Sequence, residues 1–496
     1  MFEADMKLFS TTLLILLFVF SCKKGFDGEI NPQLAPETYM SADSIFRSGT
    51  DRLTTTITAN WWATSAGGYI IAYEVSIDSM QNWTYTTRQD STILLSIPVG
   101  KDTADLNIYV RAIDNLGQRD LTPASLSFPV KNSAPLISND SISGRKPIIS
   151  FPAVNFKWKA NDADGKEDIQ GFEIYLNDTT NPVINLSNSV NEVTIMADTF
   201  FGNECFVFLA NKTNPLSTKI KGIKYNGLNN FYVRAYDRTG AKSNWAINSI
   251  YIKKPVSSVL LVNAYVSAKM IPQNFITQRI VPFIPVFDTM QLTDYSVALL
   301  TYTELSPDNL TQARVFSFFK KIIWFSDDPY NTFSLAQQST SNFFTNGGKM
   351  FLLTEFTSDF PSNYSYLGFT PVESLIVPDS GIIRMNIGAE MKPYDTSNGL
   401  PALKASSIIS SARPFKTPLV PSGTFTYDSL YGANLILSTS LGIYSWTGIS
   451  NVISKRISLI DNKPNIVFMS LPLHRLNGNN NVDIFLRKIL INELGF

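Results

Sequence analysis

The sequence carries one histidine, His474, in the run Pro472-Leu473-His474-Arg475. Asp327 and Asp328 follow the apolar run Lys321–Ser326, and Glu355 follows the apolar run Lys349–Thr354. An imidazole with a carboxylate behind it is the working part of a general base, which here would serve a hydroxyl such as Ser470 or Thr354. A hydroxyl nucleophile without a well-placed base is inert, and a lone histidine after a strand is more often a loop or packing residue. No catalytic residue is therefore assigned; His474, Glu355, Asp327 and Asp328 are the candidates to test. Zinc is disfavoured, because one histidine and no spare cysteines leave only carboxylates to complete a site. No cofactor is expected.

Two other groups have chemistry to offer. Asn161-Asp162-Ala163-Asp164-Gly165 with Asp168 presents several hard oxygen ligands of the kind calcium takes. The spacing does not fit an EF-hand, since Gly165 directly follows the second aspartate and no glutamate closes a twelve-residue loop. An Asp-Gly hairpin turn solvated by water is the expectation, with Asp162, Asp164 and Asp168 as calcium candidates. In Asn60-Trp61-Trp62, strand alternation sends adjacent indoles to opposite faces, so that one is core and the other points outward to stack on a sugar or pack on a neighbouring domain. Trp61 and Trp62 are thus the ligand-binding candidates, and Trp158 and Trp245 read as core or edge residues.

The elements that position these residues are of two kinds. Tyr109-Val110-Arg111-Ala112-Ile113-Asp114-Asn115-Leu116-Gly117 is repeated as Tyr232-Val233-Arg234-Ala235-Tyr236-Asp237-Arg238-Thr239-Gly240. Upstream, Trp61 aligns with Trp158 and Tyr73-Glu74-Val75 with Phe172-Glu173-Ile174, so the repeat unit is a whole domain. Short alternating strands separated by turn signals predict antiparallel β-sandwiches over residues 36–130 and 131–254. In order and motif both resemble fibronectin type III or related immunoglobulin-like domains. The second copy is longer between its third strand and Tyr232, where residues 199–230 predict an extra hairpin or loop. Each Asp114-to-Gly117 type segment reads as a hairpin with the aspartate capping the turn.

Past residue 254 the pattern changes to continuous apolar runs, at residues 257–263, 321–326 and 349–354, alternating with helical patterns. Leu310, Ala313, Phe316 and Phe319 make one helical stripe, and residues 334–346 carry another ended by Gly347. The chain closes with strands predicted at 456–460 and 465–470 and a helix burying Val482, Phe485, Leu486, Ile489 and Leu490. This alternation predicts an open α/β sheet over residues 255–496, so the fold class is two antiparallel β-sandwiches followed by an α/β domain. The runs IIWFSDD, NFFTNGGKMFLLTEF and FMSLPLHRLNG resemble the flavodoxin-like fold of class I glutamine amidotransferase-like domains. Active members of that family place a cysteine just beyond the strand after the glycine pair; here that turn reads Thr354-Glu355-Phe356, without one. The resemblance thus implies a frame without the catalytic cysteine, and leaves residues 371–450 unaccounted for.

At the N-terminus, Lys7, an apolar run from Leu8 to Phe20, and Ser21-Cys22 lay out a secretory signal over residues 1–21, too short to span a bilayer. Val19-Phe20-Ser21-Cys22 resembles the bacterial lipobox, which implies acylation of Cys22 and membrane anchoring; several acyl chains make such anchoring durable. Residues 22–35 then read as a flexible tether. With Cys22 acylated, Cys205 is the remaining thiol. Forty-one basic residues balance 41 acidic ones with no basic block, so no nucleic-acid partner is expected. The expectation is an outer-membrane lipoprotein, facing the periplasm or the cell surface, acting as a non-catalytic binding or adaptor module for a polysaccharide or envelope protein. The alternative is an extracytoplasmic hydrolase of glycans or peptides.

Overall fold

The computed structural model describes residues 34–42, 56–98, 101–140, 148–267, 270–293, 295–297, 300–306, 308–356, 360–361, 374–375, 385–393, 399–410, 415–416, 433–439, 442–445, 452–455 and 465–496. The signal and Cys22, the predicted strand at 456–460 and most of 371–450 lie outside these residues.

Alternation of apolar and polar residues builds the first sandwich. Strands β1 (Glu37–Ala42), β2 (Thr56–Thr64) and β5 (Asp90–Leu94) form one sheet in the order β1-β2-β5. Strands β3 (Ile70–Ser76), β4 (Thr84–Thr86), β6 (Thr103–Asp114) and β7 (Ala124–Lys131) form the other, in the order β4-β3-β6-β7. All pairings are antiparallel. The inward positions Ala59, Trp61, Tyr73, Ile108, Val110, Ala112, Phe128 and Val130 make the core. Asp114 Oδ1 accepts from the amides of Leu116 and Gln118, and Gly117 takes φ 78°, the left-handed conformation that the hairpin demands.

The second sandwich repeats this plan with additions. Strands β8 (Leu136–Asn139), β10 (Ala153–Asn161), β13 (Glu192–Ala197), β14 (Glu204–Leu209) and β15 (Ile220–Lys221) give the sheet β15-β14-β13-β10-β8. Strands β9 (Ile149–Ser150), β11 (Ile169–Leu176), β12 (Ile184–Ser187), β16 (Gly227–Asp237) and β17 (Ala246–Ile252) give β12-β11-β16-β17-β9. The extra length between β13 and β16 is therefore used as sheet edge, β14 and β15, and not as a bare loop. It carries Cys205, which is fully buried and whose thiol burial pushes up to about 12. Between the sheets Phe156 stacks on Phe231 at 4.1 Å, and Trp158 packs edge-on against Phe172.

Both copies hold the same charged feature on the outer side of the long central strand. Arg111 Nε donates to Glu74 at 2.6 Å and its guanidinium lies 4.0 Å over Trp83; Arg234 Nε donates to Glu173 at 2.6 Å and lies 4.2 Å over Trp245. The two tryptophans come from different places in their modules, which shows the arginine and glutamate to be the fixed part. Trp158 is core, while Trp245, half-buried just before β17, packs edge-on against Tyr175 and Tyr232.

The C-terminal part is built on β18 (Val259–Ala264), β19 (Asp288–Gln291), β22 (Lys321–Ser326), β23 (Lys349–Thr354), β30 (Val452–Lys455) and β31 (Ile466–Met469), in the order β19-β18-β22-β23-β31-β30. Between β19 and β22 runs the hairpin of β20 (Tyr295–Val297) and β21 (Leu300–Tyr302); between β23 and β30 the described residues include six strands in smaller sheets. The first five strands of the large sheet are parallel and β30 is antiparallel. Both faces are covered, which is why the strands read as unbroken apolar runs. One face packs Leu261, Ile323, Phe351 and Val467 under the helix Met270–Ile280 and the C-terminal helix; the other packs Val262, Trp324, Leu352 and Phe468 under helices Asn309–Phe316 and Pro329–Ser339.

The described residues divide into two compact units: those within 1–136, 161–170 and 236–243, and those within 137–160, 171–235 and 244–496. Within the second unit Phe151 and Ala153, beside β9 and at the start of β10, join the core beneath one face of the large sheet. Phe151 packs edge-on against Phe319 at 5.0 Å, the Thr194 and Thr311 hydroxyls hydrogen-bond at 2.9 Å, and Lys253 pairs with buried Glu304.

Two helical expectations are corrected. Leu310 and Ala313 are not on the buried stripe; Thr311, Gln312, Val315 and Phe316 are, because Thr311 bonds Thr194 and Gln312 Oε1 accepts from the Ser306 amide inside the structure. Polar side chains with buried partners took the place that apolar periodicity assigned to Leu310. The pattern at 334–346 is two helices, Pro329–Ser339 and Ser341–Thr345, meeting at Thr340, whose hydroxyl donates to the Ala336 carbonyl. Gly347 ends the second at φ 78°, and a Cβ on Gly348 would sit 2.6 Å from the Phe343 ring. Gly347 is thus required by its backbone conformation and Gly348 by packing.

Candidate functional site at the carboxyl edge of the parallel sheet

Ala264, Ser326 and Thr354 are in register across β18, β22 and β23, so the next residues, Tyr265, Asp327 and Glu355, leave the sheet side by side. β31 then delivers His474 in the short turn Leu473–Arg475. Four parallel strands thus bring one polar side chain each to the carboxyl edge, where open parallel sheets hold ligands. A cavity of about 430 Å³ is lined by Tyr265, Ser267, Asp327, Glu355, Ser406, His474 and Arg475.

Tyr265 Oη donates to Glu355 Oε1 at 2.5 Å, and the tyrosine and His474 rings meet edge-on at 5.9 Å. Burial pushes Glu355 above the ordinary glutamate range against the opposing pull of the Tyr265 hydrogen bond and Arg475. Burial, then the Glu355 charge, hold the Tyr265 phenol far above its usual value. Burial and the Arg475 charge lower His474 to about 4, with Asp327 opposing, so its imidazole is neutral at pH 7. Asp327 accepts from the amides of Val266 and Ser267 and from the Ser267 hydroxyl. Its oxygens fix the loop after β18.

The sequence candidates therefore divide. His474, Glu355 and Asp327 are brought together. Asp328 is not with them: it caps the helix Pro329–Ser339, its Oδ1 and Oδ2 accepting from the Asn331 amide and side chain, and it lines a separate cavity of about 490 Å³ with Trp324, Leu292 and Leu335. Thr354 and Ser470 are fully buried, which removes them as nucleophiles open to a substrate. Tyr265, Ser267 and Arg475 were missed by sequence reading. The signal for Tyr265 was available, since it directly follows an apolar parallel strand.

Of the paired indoles, Trp61 is core, 1% exposed, with Nε1 donating to the Arg88 carbonyl; as a ligand-binding candidate it is corrected to a packing residue. Trp62 is 48% exposed and stacks at 5.8 Å and 19° on Tyr39, its direct cross-strand partner.

The acidic stretch also differs from expectation. It is not a solvated hairpin tip: Asp162 and Asp164 are buried, Gly165 takes φ 113°, and the chain turns through Lys166–Asp168 into β11. Asp162 Oδ1 accepts from the Asp164 amide, while burial and the charges of Asp164, Asp168 and Asp237 push Asp162 up to about 6. Asp168 is also raised, by burial and then Asp237, against Arg238. Asp164 Oδ2 accepts from the Ser133 amide at 2.6 Å.

No protein-family profile and no curated protein sequence matches the chain. Among solved structures it is similar to fibronectin(III)-like modules of Clostridium thermocellum CbhA, 14% identical over 43% of this chain and 94% of that one, TM-score 0.17. It is also similar to a two-domain fibronectin type III segment of chicken tenascin, 12% identical over 44% of this chain and 99% of that one, TM-score 0.22. A third is chitinase ChiA74 from Bacillus thuringiensis, 14% identical over 43% of this chain and 27% of that one, TM-score 0.14. The β-sandwich assignment itself rests on the strand orders described above.

Proposed function

We propose that the chain is a cell-envelope binding or adaptor module, lipidated at Cys22 on the outer membrane, whose first sandwich offers an aromatic face to a polysaccharide. The observation that carries this reading is the Tyr39–Trp62 pair, 42% and 48% exposed on the outer face of β1 and β2. Register and alternation put Ser41, Asn60, Thr58, Asp90 and Thr92 on the same face, a polar surround for an aromatic platform. Sugar recognition combines those two elements: ring stacking for affinity and hydroxyl, amide and carboxylate hydrogen bonds for orientation.

The C-terminal part serves this reading as a frame. Numbered along the chain, its parallel strands run 2-1-3-4-5, which supports a flavodoxin-like α/β domain of the amidotransferase-like kind. At its carboxyl edge the acids are engaged in structural hydrogen bonds, Glu355 with Tyr265 and Asp327 with the loop at 266–267. That favours binding over hydrolysis. The test is a glycan array probed with the full chain and its Trp62→Ala and Tyr39→Ala variants. Retention of a polysaccharide class, lost in both variants, is the expected result. Absence of retention, unchanged binding in the variants, or release of shortened glycan by the wild type would each overturn the proposal.

A further inference from the structure

The two sandwiches keep the same backbone hairpin but differ in what surrounds its aspartate. Alignment on Trp61 and Trp158 sets Ser65 against Asp162, alignment on Tyr73 and Phe172 sets Tyr69 against Asp168, and the hairpin aspartates are Asp114 and Asp237. The backbone bond is common to both, Asn115 N to Tyr69 O and Arg238 N to Asp168 O, each 2.9 Å. In the first copy the Ser65 hydroxyl faces Asp114 Oδ2 at 3.4 Å. In the second copy a serine and a tyrosine have become two more aspartates. The fold evidently forms without them, so they answer some other need.

Their geometry shows which. Asp162 ends the turn out of β10, Asp168 leads into β11 and Asp237 closes β16, and one carboxylate oxygen from each lies within 4.8 Å of the other two. Asp162 is 4% exposed, and its Oδ2 has no hydrogen-bond partner among the described residues. A buried carboxylate oxygen left without a donor is costly, and the same carboxylate has an oxygen within 4.8 Å of two further carboxylates whose charges make the cost larger. Asp237 Oδ1 is used by its hairpin and Oδ2 accepts from Asn132 Nδ2 at 2.6 Å, which fixes the carboxylate in place. Arg238 supplies one positive charge, its Nε 3.7 Å from Asp168 Oδ1. Asp164 is turned away to the Ser133 amide.

We propose that Asp162, Asp168 and Asp237 bind one calcium ion. Oxygens on opposite sides of calcium, at about 2.4 Å from it, are up to about 4.8 Å apart, so three oxygens within 4.8 Å of one another can share one such ion. Hard carboxylate oxygens from three separate elements, with water completing the shell, suit the flexible coordination sphere of calcium. Calcium there ties the ends of β10, β11 and β16 together, a role filled in the first copy by the Ser65–Asp114 contact.

The test is calorimetric titration of calcium chloride into the chelator-treated full chain, with Asp162→Asn, Asp168→Asn and, on the C-terminal helix, the exposed Asp483→Asn as variants and circular dichroism to confirm folding. One saturable site is expected, weakened at least tenfold in Asp162→Asn and Asp168→Asn, unchanged in Asp483→Asn, and weaker for magnesium chloride. Lack of saturable calcium binding, wild-type binding in both cluster variants, or equal affinity for magnesium would overturn it. Should one cluster variant fail to fold, the other decides, because each removes a single ligand charge at constant shape.

Discussion

His474 takes its proton only near pH 4 in the folded chain, against about 6.5 for an ordinary histidine in an unfolded one. The stabilisation this difference represents is fully present above pH 6.5 and is lost as pH falls from there through about 4, amounting to roughly 2–3 kcal/mol. Replacing His474 by glutamine should remove that part of the acid sensitivity. Urea midpoints at pH 7 and pH 4.5 measure it, and the same acid loss in both proteins would sink the assignment. At this scale the sequence was informative about types and poor about partners. Alternation announced that Trp61 and Trp62 face opposite ways, but which one is core depends on the opposite sheet, whose Tyr73 packs edge-on against Trp61. Asp327 and Asp328 are neighbours in the chain with unrelated work, a loop clamp and a helix cap; only the register of β18 against β22 separates them. Asp237 was hidden from the calcium reading because it lies 69 positions beyond Asp168 and joins it only through the pairing of β11 beside β16.

Elements were more legible. The runs 321–326 and 349–354 are β22 and β23 to the residue, because a strand buried on both faces is an unbroken apolar run whose polar ends, Lys321 and Ser326 or Lys349 and Thr354, mark where it stops. The helix Asn309–Phe316 was read with its face turned, since its inward Thr311 and Gln312 are satisfied by residues from elsewhere, Thr194 of β13 and the Ser306 amide. That same seam makes a prediction about cooperativity. Phe151, just after β9, is fully buried in the core of the large sheet with Lys253 Nζ 4.3 Å over its ring. Phe151→Ala should cost about 3–5 kcal/mol, and hydrogen exchange should speed up together in β10 and β22. Loss of protection confined to one of them would show that the sandwich and the sheet open independently.

On the scale of the whole molecule, the repeat made the two sandwiches visible and the change of pattern past residue 254 announced the parallel sheet, while the packing of Phe151 and Ala153 into the core of that sheet was not announced. Contacts such as Phe151 on Phe319 join residues 168 positions apart, and nothing local marks them. The proposed anchoring is testable only on the intact chain: a Cys22→Ser variant should no longer incorporate labelled palmitate or partition with detergent, and unchanged incorporation would remove Cys22 as the lipid site. The other cysteine has the opposite character. Cys205 is sealed within β14 with its thiol held protonated, so a maleimide reaches it only when the edge of the second sandwich comes apart. The rate of its alkylation is therefore a clock for that opening, and with Cys22 acylated it is a clock that needs no engineered label.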